Sequence, residues 1–278
     1  MEIKADRNAT PCYLRAMSTD AFLDRFGALS ETRPDPMRSA QQSLRSSLPK
    51  RFYERAHVIA DGAMFHVALD GRKTKTPARN ALALPAQAAA EAMAAEWEAQ
   101  IEVIDPATMP LTRLTNSAID GVASAIDAVR DEMRRYGASD SICYRADAPD
   151  NLVTQQSAVL DPVLDWCATR LGVTLMTATG ITYVQQSDTA LAGIAVAVDA
   201  IPAPFALAAT HSIMTLTGSV ILALALQQGH LDANAVWDAA HLDETYQASV
   251  WGQDDEAIFR QTNRRRDFDA AVTLLKCL

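Results

Sequence analysis

His57 and His66 flank an Asp61-Gly62 step, so two imidazoles could face each other across a hairpin and supply half of a metal or acid–base site. Joined by Arg145, they outline the one small-molecule active site that this chain suggests, in a cleft between two modules. The plainer reading makes both histidines half-exposed strand positions. His211, which follows Thr210 on an apolar run, reads as a hydrogen-bonded core histidine. No motif of catalysis or phosphate binding supports an enzyme. The G-x-x-x-x-G-K-S/T loop is missing, Gly62, Gly71, Gly172 and Gly180 do not compose G-x-G-x-x-G, and neither H-E-x-x-H nor G-x-S-x-G occurs. Cys12, Cys143, Cys167 and Cys277 are scattered without ligand spacing and read as reduced thiols of a cytosol-like compartment. The expectation is a chain with no catalytic residue, no cofactor and no metal.

Binding chemistry is easier to find. Trp97, Trp166, Trp237 and Trp251 all have acids close by in sequence. For Trp97 and Trp166 the pattern is that of a helix whose indole meets the core while the carboxylates stay in water. Trp251 differs, because Trp251-Gly252 forms a hinge between two predicted helices and is followed by Gln253-Asp254-Asp255-Glu256. Acids in a first helical turn are stabilised by the dipole by ~0.3–1 kcal/mol each, which is a sufficient structural reason for them. An aromatic anchor ringed by carboxylates would also receive a basic, partly apolar surface of another protein. Both readings stay open, and the partner-binding candidates are Trp251, Asp254, Asp255 and Glu256, with Asp243 and Glu244 on the preceding helix. Arg264-Arg265-Arg266 reads as a solvated patch that pairs with acids such as Asp269.

The elements that must position these residues fall into two patterns. Residues 1–47 are polar, interrupted by Pro34 and Pro36, and read as a partly disordered extension with a short amphipathic helix at Met37–Leu44. Ala56–Ala60, Ala63–Leu69 and Lys73–Pro77 then alternate as strands around Asp61-Gly62 and Asp70-Gly71, with Phe65, Val67 and Leu69 on the one face that need be buried. Lys73, Lys75 and Pro77 suit an edge strand. Pro85 opens an alanine-rich helix with Met93, Trp97 and Ile101 on one side, stopped by Asp105-Pro106. Helices are predicted over Asn116–Tyr136, Asp150–Leu171, Asp188–Ala200, Pro204–Gln228, Asp232–Val250 and Gln253–Leu275, and Thr174–Val184 has strand character. Gly229 and Gly252 are expected left-handed C-caps and Asp232 an N-cap. The fold class is therefore α+β: a small β-rich meander domain with one helix over 48–112, packed on a larger all-α domain over 113–278. Trp97, Asp105 and Pro106 form the structural junction between them.

The net charge of −9 argues against a phosphate backbone, so nucleic acid is not an expected partner. The longest apolar tract, Ile213 to Leu226, is interrupted by polar residues and is shorter than the ~20 residues of a spanning helix. It reads as one buried helix, without stable membrane insertion. Glu2, Asp6, Asp20 and Asp24, with no continuous apolar run among them, resemble neither a secretory signal nor a transit peptide, and a bacterial cytoplasmic protein is expected.

Several short motifs occur in register: Arg51-Phe52-Tyr53, Leu69-Asp70-Gly71-Arg72, Lys75-Thr76-Pro77-Ala78, Glu96-Trp97-Glu98-Ala99-Gln100, Asp105-Pro106 with Met109-Pro110-Leu111-Thr112, and Cys143-Tyr144-Arg145-Ala146. Asp161-Pro162-Val163-Leu164-Asp165-Trp166, Thr179-Gly180-Ile181, Thr217-Gly218-Ser219 and Trp251-Gly252 before acids continue the series. Together they resemble the ATP-twelve family of ATP synthase assembly chaperones, from about residue 50 to the end. The resemblance implies a non-enzymatic chaperone that binds the unassembled F1 α subunit and prevents its aggregation until the β subunit replaces it, expected to be monomeric alone. It also implies the β-rich and helical division read above. The stretch before Lys50 departs from the family pattern, which leaves Met1, Met17 and Met37 as alternative starts. Where many relatives carry Glu, this chain has Gln253, so the resemblance does not single out which of Asp254, Asp255 and Glu256 matters.

Overall fold

Both glycine turns fold the chain back on itself. The runs β1 (Ala56–Asp61) and β2 (Met64–Leu69) pair antiparallel, with Asp61 opposite Met64 and Ala56 opposite Leu69. At the second turn Asp70 and Gly71 both take positive φ, 48° and 80°, as a tight type I′ link requires, and β3 (Arg72–Lys73) returns along β2. The first link is Gly62-Ala63, one residue later than the Asp-Gly reading implies. A fourth strand, β4 (Ala83–Leu84), pairs with the rest of the same side of β2. This geometry comes from a computed structural model, which describes residues 48–180 and 182–278. The expected extension over 1–47 and its Met37–Leu44 helix lie outside the described residues.

β2 corrects one expectation. Both of its faces are buried from His66 to Leu69, because it is the internal strand and cross-strand neighbours such as Ile59 beside His66 and His57 beside Ala68 cover the second face. On the first face lies α1 (Gln87–Glu98), burying Ala89, Ala90, Met93 and Ala94 against β1 and β2. The helix ends before Ile101, which is 84% exposed and does not share the buried face of Met93.

The helical part follows as α2 (Pro110–Asp120), α3 (Ile126–Gly137), α4 (Asp150–Trp166), α5 (Asp188–Asp199), α6 (Phe205–Thr217), α7 (Val220–Gln227), α8 (Ala233–Ala240), α9 (Leu242–Trp251) and α10 (Asp255–Cys277). A short parallel pair, β5 (Tyr144–Arg145) with β6 (Ala178–Thr179), realises part of the Thr174–Val184 strand reading. Three predicted helices are each two. Asn116–Tyr136 breaks at Gly121–Ala125, where a 3-10 turn intervenes and Asp120 is drawn off to accept from Thr76 Oγ1, Ala78 N–H and Asn80 Nδ2. Pro204–Gln228, with its Ile213–Leu226 tract, breaks at Gly218 (φ 71°), and Ser219 Oγ accepts from Leu222 N–H to start a new helix. Asp232–Val250 breaks at His241, whose ring Nδ1 lies 2.9 Å from Trp237 O.

Gly172 and Gly229 hold left-handed φ beyond helix ends, and Asp232 Oδ1 accepts from Ala235 N–H at 2.8 Å as an N-cap. Gly252 has φ 82° but ψ 175°, an extended exit and not the left-handed helical cap expected of it. One cluster of buried side chains runs from Val67, Leu82 and Leu84 through Met93 to Ile213, Leu222 and Phe268. The sheet and the helices therefore share a core, and the architecture is α+β.

Candidate functional site

The residues around the Trp97–Asp105 junction are bound to one another. Glu96 is largely buried, and its two carboxylate oxygens accept from Leu111 N–H at 2.7 Å and Thr112 N–H at 2.8 Å, capping α2 from α1. Burial raises its carboxyl above the ordinary range against the pull of those donors. Gln100 donates to Glu96 O and accepts from Asp105 N–H at 2.8 Å, while Asp105 Oδ1 caps the turn Pro106–Thr108 through Ala107 N–H. Trp97 packs against both the main cluster and a smaller one of Tyr53, Leu69, Ile104 and Met109, and Tyr53 Oη donates to its carbonyl at 2.6 Å. These bonds fix α1 against α2 and the turn between them.

The surface lies at α9 and the first half of α10. No residue of α9 is buried, and the buried residues of α10 begin only at Phe268. Between them Trp251 is 78% exposed, and Val250, Ile258 and Phe259 are exposed beside it. Four exposed large apolar side chains lie along this helical hairpin, with Asp254, Asp255 and Glu256 following Trp251 in sequence, a composition that suits an interaction site. Asp254 Oδ1 caps α10 through Ala257 N–H, and Glu256 pairs with Arg260 at 2.6 Å. A groove of about 390 Å³ runs between the helices, lined by Glu244, Trp251, Asp254 and Arg264 among others.

Asp243 and Glu244 sit at the base of the hairpin, apart from the tip. Asp243 Oδ1 accepts from buried Gln156 Nε2 at 2.7 Å, and Tyr246 Oη donates to Asn151, so these residues tether α9 to α4. Glu244 lies 4.0 Å from both Arg264 and His241. The apolar partners Val250, Ile258 and Phe259 escape a reading of the sequence centred on Trp251. The signal for Ile258 and Phe259 is a pair of large apolar residues in an otherwise charged helical turn, and Val250 adjoins Trp251 itself.

The residues of the enzyme reading do not converge. The register sets His66 opposite Ile59, with His57 two residues along the strand, so the imidazoles do not face each other. Arg145 bonds to Ile142 O and Gln156 O and pairs with Asp161 at 3.2 Å. The most perturbed groups are Asp140, pushed up to about 6, and Cys143 and Cys167, pushed up to about 12, all by burial. None lines the groove between α9 and α10. Among the described residues no cluster of His, Cys, Asp and Glu is suited to a metal, and no helix is long and apolar enough to cross a membrane.

The family model described as ATP12 chaperone protein matches residues 50–168. A crystal structure of the Atu1473 protein of Agrobacterium tumefaciens is 41% identical and superposes with a TM-score of 0.79 over 93% of this chain and 97% of its own. The chain belongs to the ATP12 chaperone family. Atp12 from Paracoccus denitrificans is 38% identical, with a TM-score of 0.76 over 82% of this chain and 98% of that one, and a point variant of the same bacterium's Atp12p aligns equally well. These matches reach well past residue 168 into the helical layer, so the family fold includes the helices that carry the exposed hairpin.

Proposed function

We propose that this chain is an assembly chaperone of the F1 sector of ATP synthase that holds the unassembled α subunit until the β subunit takes its place. It acts as a monomer in the bacterial cytoplasm, without catalysis or cofactor. What supports the reading, beyond family membership, is the hairpin of α9 and α10: a helix with no buried residue that ends in exposed Val250 and Trp251, followed in sequence by carboxylates and by exposed Ile258 and Phe259 on α10. An orphan subunit exposes apolar interface, and a partner that covers it lowers the concentration of aggregating surface. Release demands a few anchors and a charged rim, in contrast to an interface as large and dry as a bisected core.

Co-expression with the F1 α subunit should give a 1:1 complex and keep that subunit soluble. The double substitution Trp251→Ala and Phe259→Ala should remove the complex while leaving the melting temperature of the chaperone unchanged. Absence of co-purification at low salt by the unmodified chain would sink the function. A wild-type complex with the double variant would move the contact elsewhere.

A further inference from the structure

Among the described residues β1 is an edge strand with an open side. Antiparallel partners alternate between pairs that exchange hydrogen bonds and pairs that do not. The two-residue link Gly62-Ala63 makes Asp61 and Met64 a bonded pair, and Asp70 N–H donating to Arg55 O at 3.0 Å sets the same phase at the other end. His57, Ile59 and Asp61 therefore direct their backbone groups to β2, whereas those of Ala56, Val58 and Ala60 point outward. Ala56 displays this directly, since its N–H donates to the Glu98 carboxylate at 2.7 Å. The N–H and C=O of Val58 and of Ala60 have no partner among the described residues.

These outward-facing residues line a groove of about 710 Å³ whose far wall is α1. Gln87, Glu91, Ala95, Glu98 and Ala99 follow one stripe of that helix, and Phe65 forms part of the floor. Small side chains at Ala95 and Ala99 leave room above the strand. Edge strands are ordinarily blunted by a proline, a bulge or a lysine. The sequence Ala-His-Val-Ile-Ala-Asp has none, and its register is unbroken.

We infer that this groove receives an extended segment of the client, added beside β1 as a further strand. The segment bonds through its backbone to Val58 and Ala60 and lays alternate small or β-branched side chains toward Ala95 and Ala99. It carries a lysine or arginine directed at Glu91, the acid of the groove that no cation pairs among the described residues, since Glu98 is already held by Arg51 at 3.4 Å. An extended strand fits where a helix does not, since the unpaired groups repeat every second residue along β1. Unpaired strands of an orphan subunit are also the segments that aggregate. The inference rests on the chaperone reading above and adds a contact separate from the α9–α10 hairpin.

Amide hydrogen exchange on the full chain, alone and with the purified F1 α subunit, tests it. Val58 and Ala60 N–H should exchange rapidly in the free protein and at least about tenfold more slowly in the complex, as a new hydrogen-bonded strand requires. Ile59 N–H, already bonded to β2, should be protected in both. Ala95→Arg, an exposed helical position filled with a bulky cation, should weaken the complex about tenfold with unchanged circular dichroism. A complex that leaves both amides exposed, or that tolerates Ala95→Arg, overturns strand addition and leaves the chaperone function standing. Failure to form any complex overturns both. Protection that grows with protein concentration without client would give the edge to a second copy and overturn the inference.

Discussion

Asp140 offers a test of how burial and hydrogen bonding divide control of a carboxyl group. It is wholly enclosed, accepting from Ile142 N–H at 3.2 Å and from Ile221 N–H at 3.0 Å, so one side chain caps both the turn Ser141–Cys143 and the start of α7. Burial pushes its carboxyl up to about 6 despite those donors. In the unfolded chain the same group titrates near 3.9, as an ordinary aspartate does. A raised acid means that the folded protein keeps a proton that the unfolded chain has released. Its contribution to stability is therefore full below about pH 4, declines as pH rises through 6, and is level above that. Two units of displacement correspond to about 3 kcal/mol. Asp140→Asn preserves shape and one acceptor but cannot ionise. Urea unfolding followed by circular dichroism at steps between about pH 4 and pH 7 should show wild type losing about 3 kcal/mol relative to the variant across that interval. Parallel pH profiles would refute the reasoning, because they would mean that the amide donors hold the carboxylate ionised at every pH.

Glu96→Ala leaves the Leu111 and Thr112 N–H groups without their acceptor and should lower the unfolding free energy by about 2–4 kcal/mol, read from the urea midpoint at constant slope. Gly193→Ala should destabilise by about 1–3 kcal/mol, since an added Cβ meets Val173 Cγ2 in a buried contact; a rise in melting temperature from better helix propensity would show that Val173 yields. Charge reversal at Asp255 and Glu256 should slow association with the client and flatten its salt dependence without changing stability, measurable by surface-based binding kinetics at two ionic strengths.

What could be read from the sequence was local. Asp70-Gly71 names its turn because both residues must take positive φ, and Asp232 names its cap because the acceptor is three residues from its donor. The helix breaks at Gly121–Ala125, Gly218-Ser219 and His241 were not legible, since apolar spacing continues through them when both halves face the same core. Their causes are distant. Asp140 reaches Ile221 across 81 positions, and Asp120 is held by the loop that follows β3. The same limit hid Glu96, whose motif marks the family although its task, capping a helix on the far side of the junction, depends on the fold. At the candidate site, Trp251 and the acids could be named from their hinge, but the division between tip and base could not. Asp243 is indistinguishable from Asp254 in sequence, yet one is tethered to buried Gln156 and the other starts α10 in solvent.

The lack of any buried residue in α9 separates two selective pressures that most interfaces confound. Apart from Asp243, which holds buried Gln156, and Tyr246, which bonds Asn151, substitutions along its exposed positions remove nothing from the core, and surface changes of that kind usually alter stability by less than about 0.5 kcal/mol. The arm can therefore drift in step with whatever it grips, while α1, α6 and α10 keep the body folded under constraints of their own. Variation concentrated on α9 and the first turns of α10 would then register the history of the partner more than that of the fold.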